Sequence, residues 1–269
     1  MYAAFEESGD CVNILFIGDI FGRPGRELIA TYLTDLASSR AADLVIANGE
    51  NAAGGFGITP RLAQELLSRG IDVLTGGNHI WDRKEILPYF SQETRLLRPA
   101  NYPGGPGGGL YRAATKSGIE YAVINLQGRI FMANTDCPFR TADRELAKLP
   151  ESCKIRIVDM HAEATSEKVA MGWYLDGRVT AVIGTHTHIP TADERVLPGG
   201  TAYITDVGMT GPYDSVIGVI KETVLERFLT QMPAKFEAAS KDPRLAAVLI
   251  QANPETGRAF RVERIQLCG

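Results

Sequence analysis

All four histidines of the sequence stand in similar local settings. His186 and His188 lie two residues apart in VIGTHTHIP, directly after an apolar run. His79 lies in TGGNHIWD and His161 in VDMHAEAT, and each segment follows or closes an apolar run. Neutral imidazole binds divalent metals, and the ring also transfers protons near neutral pH. Because histidines scattered over a surface would not share one setting, the pattern indicates that all four belong to one site.

Carboxylate and amide side chains stand in the same kind of position. Asp19 follows the apolar run NILFI, and Asn78 follows DVLTG. Glu50 and Asn51 follow DLVIA, and glycines flank nearly all of these positions. Imidazole, carboxylate and amide ligands without a thiolate suit divalent Mn, Fe, Co, Ni or Zn. This set of candidate ligands is too large for one tetrahedral ion, so it favours two ions that share one carboxylate.

Each of these features also has a structural interpretation. A single Asp or Asn after a strand is usually a turn residue or a helix cap. The GEN and GNH steps alone are typical of turns, whereas two histidines two residues apart after a buried strand favour a metal site more strongly. Structural residues have no reason to gather behind five separate strands, so the joint pattern favours a metal site.

The elements that must position these residues alternate along the chain. Continuous runs of Val, Ile and Leu predict strands that are buried on both faces. The predicted strands are 13–17, 43–47, 72–76, 121–128, 154–160, 179–184 and 201–208. Helices are predicted at 26–40, 60–70, 166–176 and near 215–230, with a short one after the loop at 131–145. This order is typical of an α/β fold, in which ligand sites lie outside the carboxyl ends of the strands.

Other segments set the outline of the fold. Residues 98–112 are rich in Pro and Gly and predict an irregular loop. Alternating apolar residues in 246–253 and 259–267, around the step PETG, predict an antiparallel hairpin. Residues 1–11 are acidic and lack an apolar core, so they predict a flexible leader rather than a signal peptide. The remaining residues, 12–269, are expected to form a single domain.

Composition and charge exclude several classes of function. The 269 residues are 45% hydrophobic and 22% charged, which is typical of a soluble globular protein. The net charge is −4 and the basic residues are dispersed, so a compact anion suits the chain better than a long nucleic acid. Four cysteines without a CxxC pair argue against a disulfide framework and suit the reducing cytoplasm. No apolar run approaches the roughly 18 residues of a membrane span, so no membrane partner is expected.

The ordered motifs resemble those of a known superfamily. GDIFG, NGEN, GGNHIWD, DMHAEATSEK and GTHTHIPTAD resemble the calcineurin-like metallophosphoesterases, and most closely their YmdB-like branch of bacterial cyclic-nucleotide phosphodiesterases. The wider superfamily carries a D-x-H pair after its first strand, where this chain has Phe21, and a bridging Asp where this chain has Glu50. Both departures are features of the YmdB-like branch. The resemblance covers residues 13–267 and implies a four-layer α/β/β/α sandwich of two mixed sheets flanked by helices.

The resemblance also implies a set of site residues. It implies two divalent metal ions, with Fe or Mn favoured and Zn compatible. The implied ligands of the first ion are Asp19, Glu50, Asn51 and His188. The implied ligands of the second ion are Glu50 as the bridge, Asn78, His161 and His186. His79 is left outside this set, which makes it the expected general acid for the departing alkoxide, with Asp82 orienting its ring; the alternative is that His79 supports a ligand.

The expected activity is the hydrolysis of small phosphodiesters by attack of a metal-bridging hydroxide. The resemblance favours 2′,3′-cyclic nucleotides, so a small phosphodiester or nucleotide is the expected partner. Two alternatives stay open: a phosphomonoesterase or phosphoprotein phosphatase, and a non-catalytic regulatory protein that metal stabilises. The sequence also leaves open whether the chain forms homo-oligomers.

Overall fold

The computed structural model describes residues 11–269, and that part of the chain contains five α-helices and thirteen strands. The helices are α1 (Gly22–Ser39), α2 (Pro60–Ser68), α3 (Pro138–Leu146), α4 (Thr165–Leu175) and α5 (Lys221–Thr230). The strands are β1 (Val12–Ile17), β2 (Asp19–Ile20), β3 (Leu44–Asn48), β4 (Val73–Thr75), β5 (Leu110–Ala114), β6 (Glu120–Gln127), β7 (Ile155–His161), β8 (Ala181–Thr185), β9 (Arg195–Val196), β10 (Ala202–Ile204), β11 (Met209–Pro212), β12 (Pro243–Ala252) and β13 (Ala259–Cys268). Two short 3-10 helices cover Lys84–Ile86 and Pro88–Ser91. The expected leader lies, except for Cys11, outside the described residues.

The strands form two mixed sheets. The first has seven strands in the order β2-β11-β12-β1-β3-β4, with β13 also paired to β12. Within it, β1, β3 and β4 are parallel, and β12 runs antiparallel to β1 and β13. The second sheet has six strands in the order β5-β6-β7-β8-β10-β9, of which β6, β7, β8 and β10 are parallel. The predicted C-terminal hairpin is therefore confirmed as β12 and β13.

Alternation along β1 shows how the layers form. Leu15 and Ile17 pack with apolar residues of α1 and α2, whereas Ile14 and Phe16 pack into a cluster shared with the second sheet. Successive side chains of a strand point to opposite faces, so a strand made of apolar residues contributes side chains to the hydrophobic core on each face of the sheet. Residues of α3 and α4 cover the other face of the second sheet. The four-layer α/β/β/α fold is confirmed.

Several element boundaries differ from the sequence predictions for local reasons. Helix α1 begins at Gly22 rather than at residue 26, because Pro24 lies in the first turn, where a proline is tolerated. Strand β5 occupies the end of the predicted loop 98–112. Helix α5 begins only at Lys221, because the preceding backbone pairs with itself and with the segment around residue 237 instead of starting a helix.

The described residues also bear on membrane-spanning helices and on the state of the cysteines. Within residues 11–269, no helix has the length and apolar character needed to cross a membrane. The four cysteines all lie in this range and are free thiols.

Candidate metal centre

The candidate ligands come from the carboxyl ends of strands in both sheets. Asp19 lies just after the end of β1 and begins β2, while Glu50 and Asn51 follow β3 and Asn78 follows β4 in the first sheet. In the second sheet, His161 is the last residue of β7, and His186 and His188 follow β8. The candidate ligands therefore come from two sheets rather than from one. The two sheets pack face to face, and their neighbouring edges together bring the side chains to one place.

One group of side chains surrounds His161. Its Nε2 atom lies 2.9 Å from Asn78 Oδ1, 3.0 Å from Glu50 Oε1 and 3.1 Å from His186 Nδ1. Potential ligand atoms of Glu50, His161 and His186 all lie within 4.8 Å of one another, a spacing that one metal ion can span. The side chains of Glu50 and His161 are fully buried, so water does not compete freely for their polar atoms.

A second group lies on the other side of Glu50. Asn51 Nδ2 lies 3.1 Å from Glu50 Oε1 and 3.2 Å from His188 Nε2. His188 Nε2 in turn lies 3.9 Å from Asp19 Oδ1. The same carboxylate oxygen of Glu50 therefore contacts both the group around His161 and the group around His188.

Unsatisfied polar atoms show that the residues fit a bound cation. Among the described residues, Asp19 Oδ1 and Asn51 Oδ1 are buried acceptors without a hydrogen-bond partner. Leaving such atoms unpaired costs about 1–3 kcal/mol each, and a cation would satisfy both. Gly77 leaves room for the side chains of Glu50 and His161, because a Cβ there would collide with both Glu50 Oε2 and His161 Nε2.

Hydrogen bonds fix which imidazole nitrogen of His161 and His188 faces the centre. Thr185 Oγ1 donates to Asp159 Oδ1 at 2.7 Å, so it accepts from His161 Nδ1, which lies 2.9 Å away. His188 Nδ1 donates to the carbonyl oxygen of Ile217 at 2.8 Å. Both rings are thereby held with Nε2 toward the centre, which is the usual arrangement of metal-binding histidines.

The backbone at His186 and His188 is not extended. His186 has φ 98° and His188 φ 65°, so both lie in the left-handed region. This conformation costs roughly 1–2 kcal/mol for an L-residue other than glycine, and such strain is concentrated at functional sites. The two histidines still contact different groups, since His186 lies beside His161 and His188 beside Asn51.

The buried charges of the centre shift one another's pKa values. Burial raises the pKa of Glu50, but the charge and hydrogen bond of His161 outweigh burial and lower it to about 2. Burial lowers the pKa of His161, but the carboxylates of Glu50 and Asp19 outweigh burial and raise it to about 9. Burial raises the pKa of Asp19. A metal ligand must be the neutral imidazole, so a cation at this place would replace the proton of His161.

His79 lies next to the centre, but its ring contacts Asp82 rather than the candidate metal ligands. Its Nδ1 donates to Asp82 Oδ2 at 2.8 Å, and its ring packs edge to face on Phe56. Its backbone N–H donates to Glu50 Oε2 at 3.0 Å, while the preceding Asn78 directs Oδ1 to His161. The His79 side chain is 29% exposed and borders the cavity in front of the centre.

This cavity has a volume of about 710 Å³. Part of its wall consists of polar side chains of the centre: Glu50, Asn51, His79, His186 and His188. The rest of the wall is mainly apolar and comes largely from Phe21, Phe56 and residues between 216 and 236, and Gly55, Glu163 and Thr187 complete it.

Sequence reasoning missed several residues that support the centre. Glu163 Oε2 lies 3.1 Å from His186 Nε2, while His186 Nδ1 lies beside His161. Lys168 and Asp206 form a buried ion pair behind the histidine loop. The sequence did contain features that point to Lys168 and Asp206. Lys168 lies in the motif DMHAEATSEK, and Asp206 follows a strand as the candidate ligands do.

A four-layer sandwich with Asp, Glu, Asn and His at the carboxyl ends of both sheets defines a metallophosphoesterase-like protein. Residues 15–265 match the model of the family described as YmdB-like protein. The chain therefore belongs to the YmdB-like family.

Three relatives illustrate this membership. The chain is 47% identical to the 2′,3′-cyclic-nucleotide 2′-phosphodiesterase of Bacillus subtilis over 254 residues, which cover 94% of this chain and 96% of that protein. A solved structure of a hypothetical protein from Thermus thermophilus superposes with a TM-score of 0.90 at 44% identity, covering 96% of this chain and 99% of the other. A solved structure described as a novel phosphatase from Mycoplasma pneumoniae superposes with a TM-score of 0.91 at 34% identity, covering 96% and 94%.

Proposed function

We propose that the protein hydrolyses 2′,3′-cyclic nucleotides at a centre of two divalent metal ions. The chain is a phosphoric diester hydrolase, as its 47% identity to the Bacillus subtilis phosphodiesterase supports. The observation that carries the two-ion proposal is the position of Glu50. Its Oε1 lies 3.0 Å from His161 Nε2 and 3.1 Å from Asn51 Nδ2, so one carboxylate contacts both groups of candidate ligands.

Each group of side chains is assigned to one ion. The residues assigned to the first ion are Asp19, Glu50, Asn51 and His188. The residues assigned to the second ion are Glu50, Asn78, His161 and His186. This donor set without thiolates suits Fe or Mn, with Zn compatible. When bound, such ions polarise a phosphoryl oxygen and activate water at neutral pH.

The charge of the assigned ligands explains how an acidic protein attracts an anion. Asp19 and Glu50 contribute about two negative charges against about four positive charges of two divalent ions. The excess of roughly two positive charges favours a phosphodiester anion beside the centre. Asp206 adds no charge to this sum, because Lys168 Nζ neutralises it at 2.7 Å.

His79 is assigned the role of proton donor to the leaving oxygen. Asp82 accepts the Nδ1 proton at 2.8 Å, which leaves Nε2 as the atom that can carry a proton into the cavity. A ribose alkoxide is a poor leaving group without a proton, so a donor at this position suits a nucleotide substrate. The His79–Asp82 pair also favours an enzyme over a non-catalytic metal-stabilised protein, which has no use for a proton donor.

A phosphomonoesterase is the second candidate, because the similar Mycoplasma pneumoniae protein is described as a phosphatase. A substrate panel separates the two functions. Purified protein is supplied with Mn²⁺ and offered 2′,3′-cyclic AMP, 3′,5′-cyclic AMP, adenosine 3′-monophosphate and p-nitrophenyl phosphate. We expect the 2′,3′-cyclic diester to react fastest and, after cleavage of its P–O2′ bond, to yield the 3′-monophosphate. Faster release of phosphate from the monoesters would favour the phosphomonoesterase instead.

A further inference from the structure

The cavity extends well beyond the polar centre. Its volume of about 710 Å³ lies in the range of pockets for whole small-molecule ligands, about 300–1,000 Å³, rather than that of a lone phosphate. Its wall includes a set of side chains that we call the apolar lobe: Phe56, Val216, Ile217, Val224, Phe228 and Phe236. The sequence motifs did not predict a functional role for any of these six residues.

Helix α5 contributes two residues of the apolar lobe, Val224 and Phe228. Val224 is buried in a cluster with Phe21, Met209 and Val219, which anchors the first half of the helix to the body of the protein. Phe228 lies four residues further on, hence on the same face of the helix, and also lines the cavity. Its ring is nevertheless 72% exposed. A large aromatic ring held over a cavity yet left open to solvent is suited to contact a ligand.

We propose that the apolar lobe binds the base of the nucleotide, with the Phe228 ring stacking on the base. This inference rests on the proposed function and deepens it, because it assigns a binding position to the base, the part of the substrate that does not react. The phosphodiester would lie at the polar end of the cavity and the base at the apolar end. Both ends belong to one continuous cavity, so a single nucleotide can occupy them together.

The chemistry of the apolar lobe also indicates how selective it is. Aromatic stacking accepts every base, because each base has a π-face, whereas discrimination between bases needs directed hydrogen bonds. The polar side chains near the lobe are partly engaged within α5 and its surroundings. Arg227 Cζ lies 5.1 Å from the centre of the Phe236 ring, and Gln231 Nε2 donates to the carbonyl oxygen of Phe228 at 3.1 Å. We therefore expect the protein to require a base but to discriminate weakly among bases.

The test compares a substrate with a base and one without. The two substrates are 2′,3′-cyclic AMP and glycerol 1,2-cyclic phosphate, which share the five-membered cyclic diester. For Phe228→Ala we expect KM for 2′,3′-cyclic AMP to rise by about tenfold or more with little change in kcat, as loss of one base stack implies. Both parameters for glycerol cyclic phosphate should stay unchanged. Phe228→Trp, which keeps an aromatic face, should retain a low KM.

Leu229→Ala is the matched control. Leu229 is the next residue of α5 and is 85% exposed, but it does not line the cavity, so its removal should leave both substrates unaffected. Equal effects of Phe228→Ala on both substrates, or no effect on either, would overturn the inference while leaving the proposed function intact. Wild-type protein that hydrolyses neither cyclic diester would instead overturn the proposed function, and the base inference with it.

Discussion

Lys168 Nζ lies 2.7 Å from Asp206 Oδ2, and this ion pair is almost completely buried, with side-chain exposures of 1% and 0%. The same carboxylate oxygen accepts from the backbone N of Thr187 at 3.0 Å and from Thr187 Oγ1 at 2.7 Å. Thr187 lies between His186 and His188, whose backbones are left-handed. The ion pair therefore holds the loop that presents two of the candidate metal ligands.

Asp206→Asn should destabilise the protein strongly. The substitution leaves Lys168 buried without its counter-charge, and breaking a buried pair in this way costs about 3–5 kcal/mol. It should also weaken metal binding, because the loop of His186 and His188 loses part of its support. Urea unfolding and calorimetric titration of the stripped protein with Mn²⁺ measure the two effects.

The matched control is the same substitution in an exposed pair. Asp242 pairs with Arg244 at 2.6 Å on the surface, so Asp242→Asn should change the free energy of unfolding very little and leave Mn²⁺ affinity unchanged. If Asp206→Asn proved as stable and as metal-competent as Asp242→Asn, the ion pair would have no part in holding the histidine loop.

Glu50→Gln should weaken both metal sites together. The change removes the negative charge of the only carboxylate assigned to both ions, so we expect metal content to fall at both sites and turnover to fall by at least about 100-fold. Glu163→Gln is the comparison, since Glu163 lies 3.1 Å from His186, a ligand assigned to the second ion, and its change should affect mainly that site. Metal analysis by mass spectrometry measures both variants. Two ions and near-normal turnover in Glu50→Gln would exclude the bridging role.

His186→Ala and His188→Ala should lower occupancy at different sites. His186 Nδ1 lies 3.1 Å from His161 Nε2, whereas His188 Nε2 lies 3.2 Å from Asn51 Nδ2. Each variant should therefore retain about one ion per chain, with different affinities in a Mn²⁺ titration followed by electron paramagnetic resonance. Loss of both ions from either variant would speak against the division of the ligands into two sets.

His79→Ala should keep both ions and the fold but lose turnover in a manner that depends on the leaving group. General acid catalysis is worth about 10²–10⁴-fold, so 2′,3′-cyclic AMP, whose leaving alkoxide needs a proton, should suffer most. Bis-p-nitrophenyl phosphate releases a stable phenolate and should be hydrolysed nearly as fast as by the wild type. The ratio of wild-type to variant rates on the two substrates is the measurement. An equal loss on both would mean that His79 only positions the phosphate.

Much of the fold was predictable from the sequence because its central strands are long apolar runs. β1, β3, β7 and β8 are buried on both faces, so their residues are mostly apolar and stand out from the flanking loops. Strands of two residues, such as β2 at Asp19–Ile20, carry no periodicity and exist only through their pairing with distant segments.

The candidate site was predictable only in part, for a similar reason. The candidate ligands around Glu50 and His161 were predictable because they are polar residues that directly follow apolar strands. In open α/β sheets, ligand sites lie outside the carboxyl ends of the strands. The left-handed backbone of His186 and His188 was not predictable, because a hydrogen bond from Thr187 to the distant Asp206 helps to fix it. The apolar lobe was missed because residues such as Phe56 and Phe228 are far apart in the sequence and line one cavity only in the folded chain.

The most direct test of a two-ion phosphodiesterase is a metal titration of activity. The protein is stripped with a chelator, and Mn²⁺ is returned stepwise while bound metal and the rate of 2′,3′-cyclic AMP hydrolysis are measured on the same samples. We expect no activity without metal and a rate that reaches its maximum at about two bound ions per chain, as two-metal centres require. Full activity in the metal-free protein, or a maximum at one bound ion, would contradict the two-ion centre.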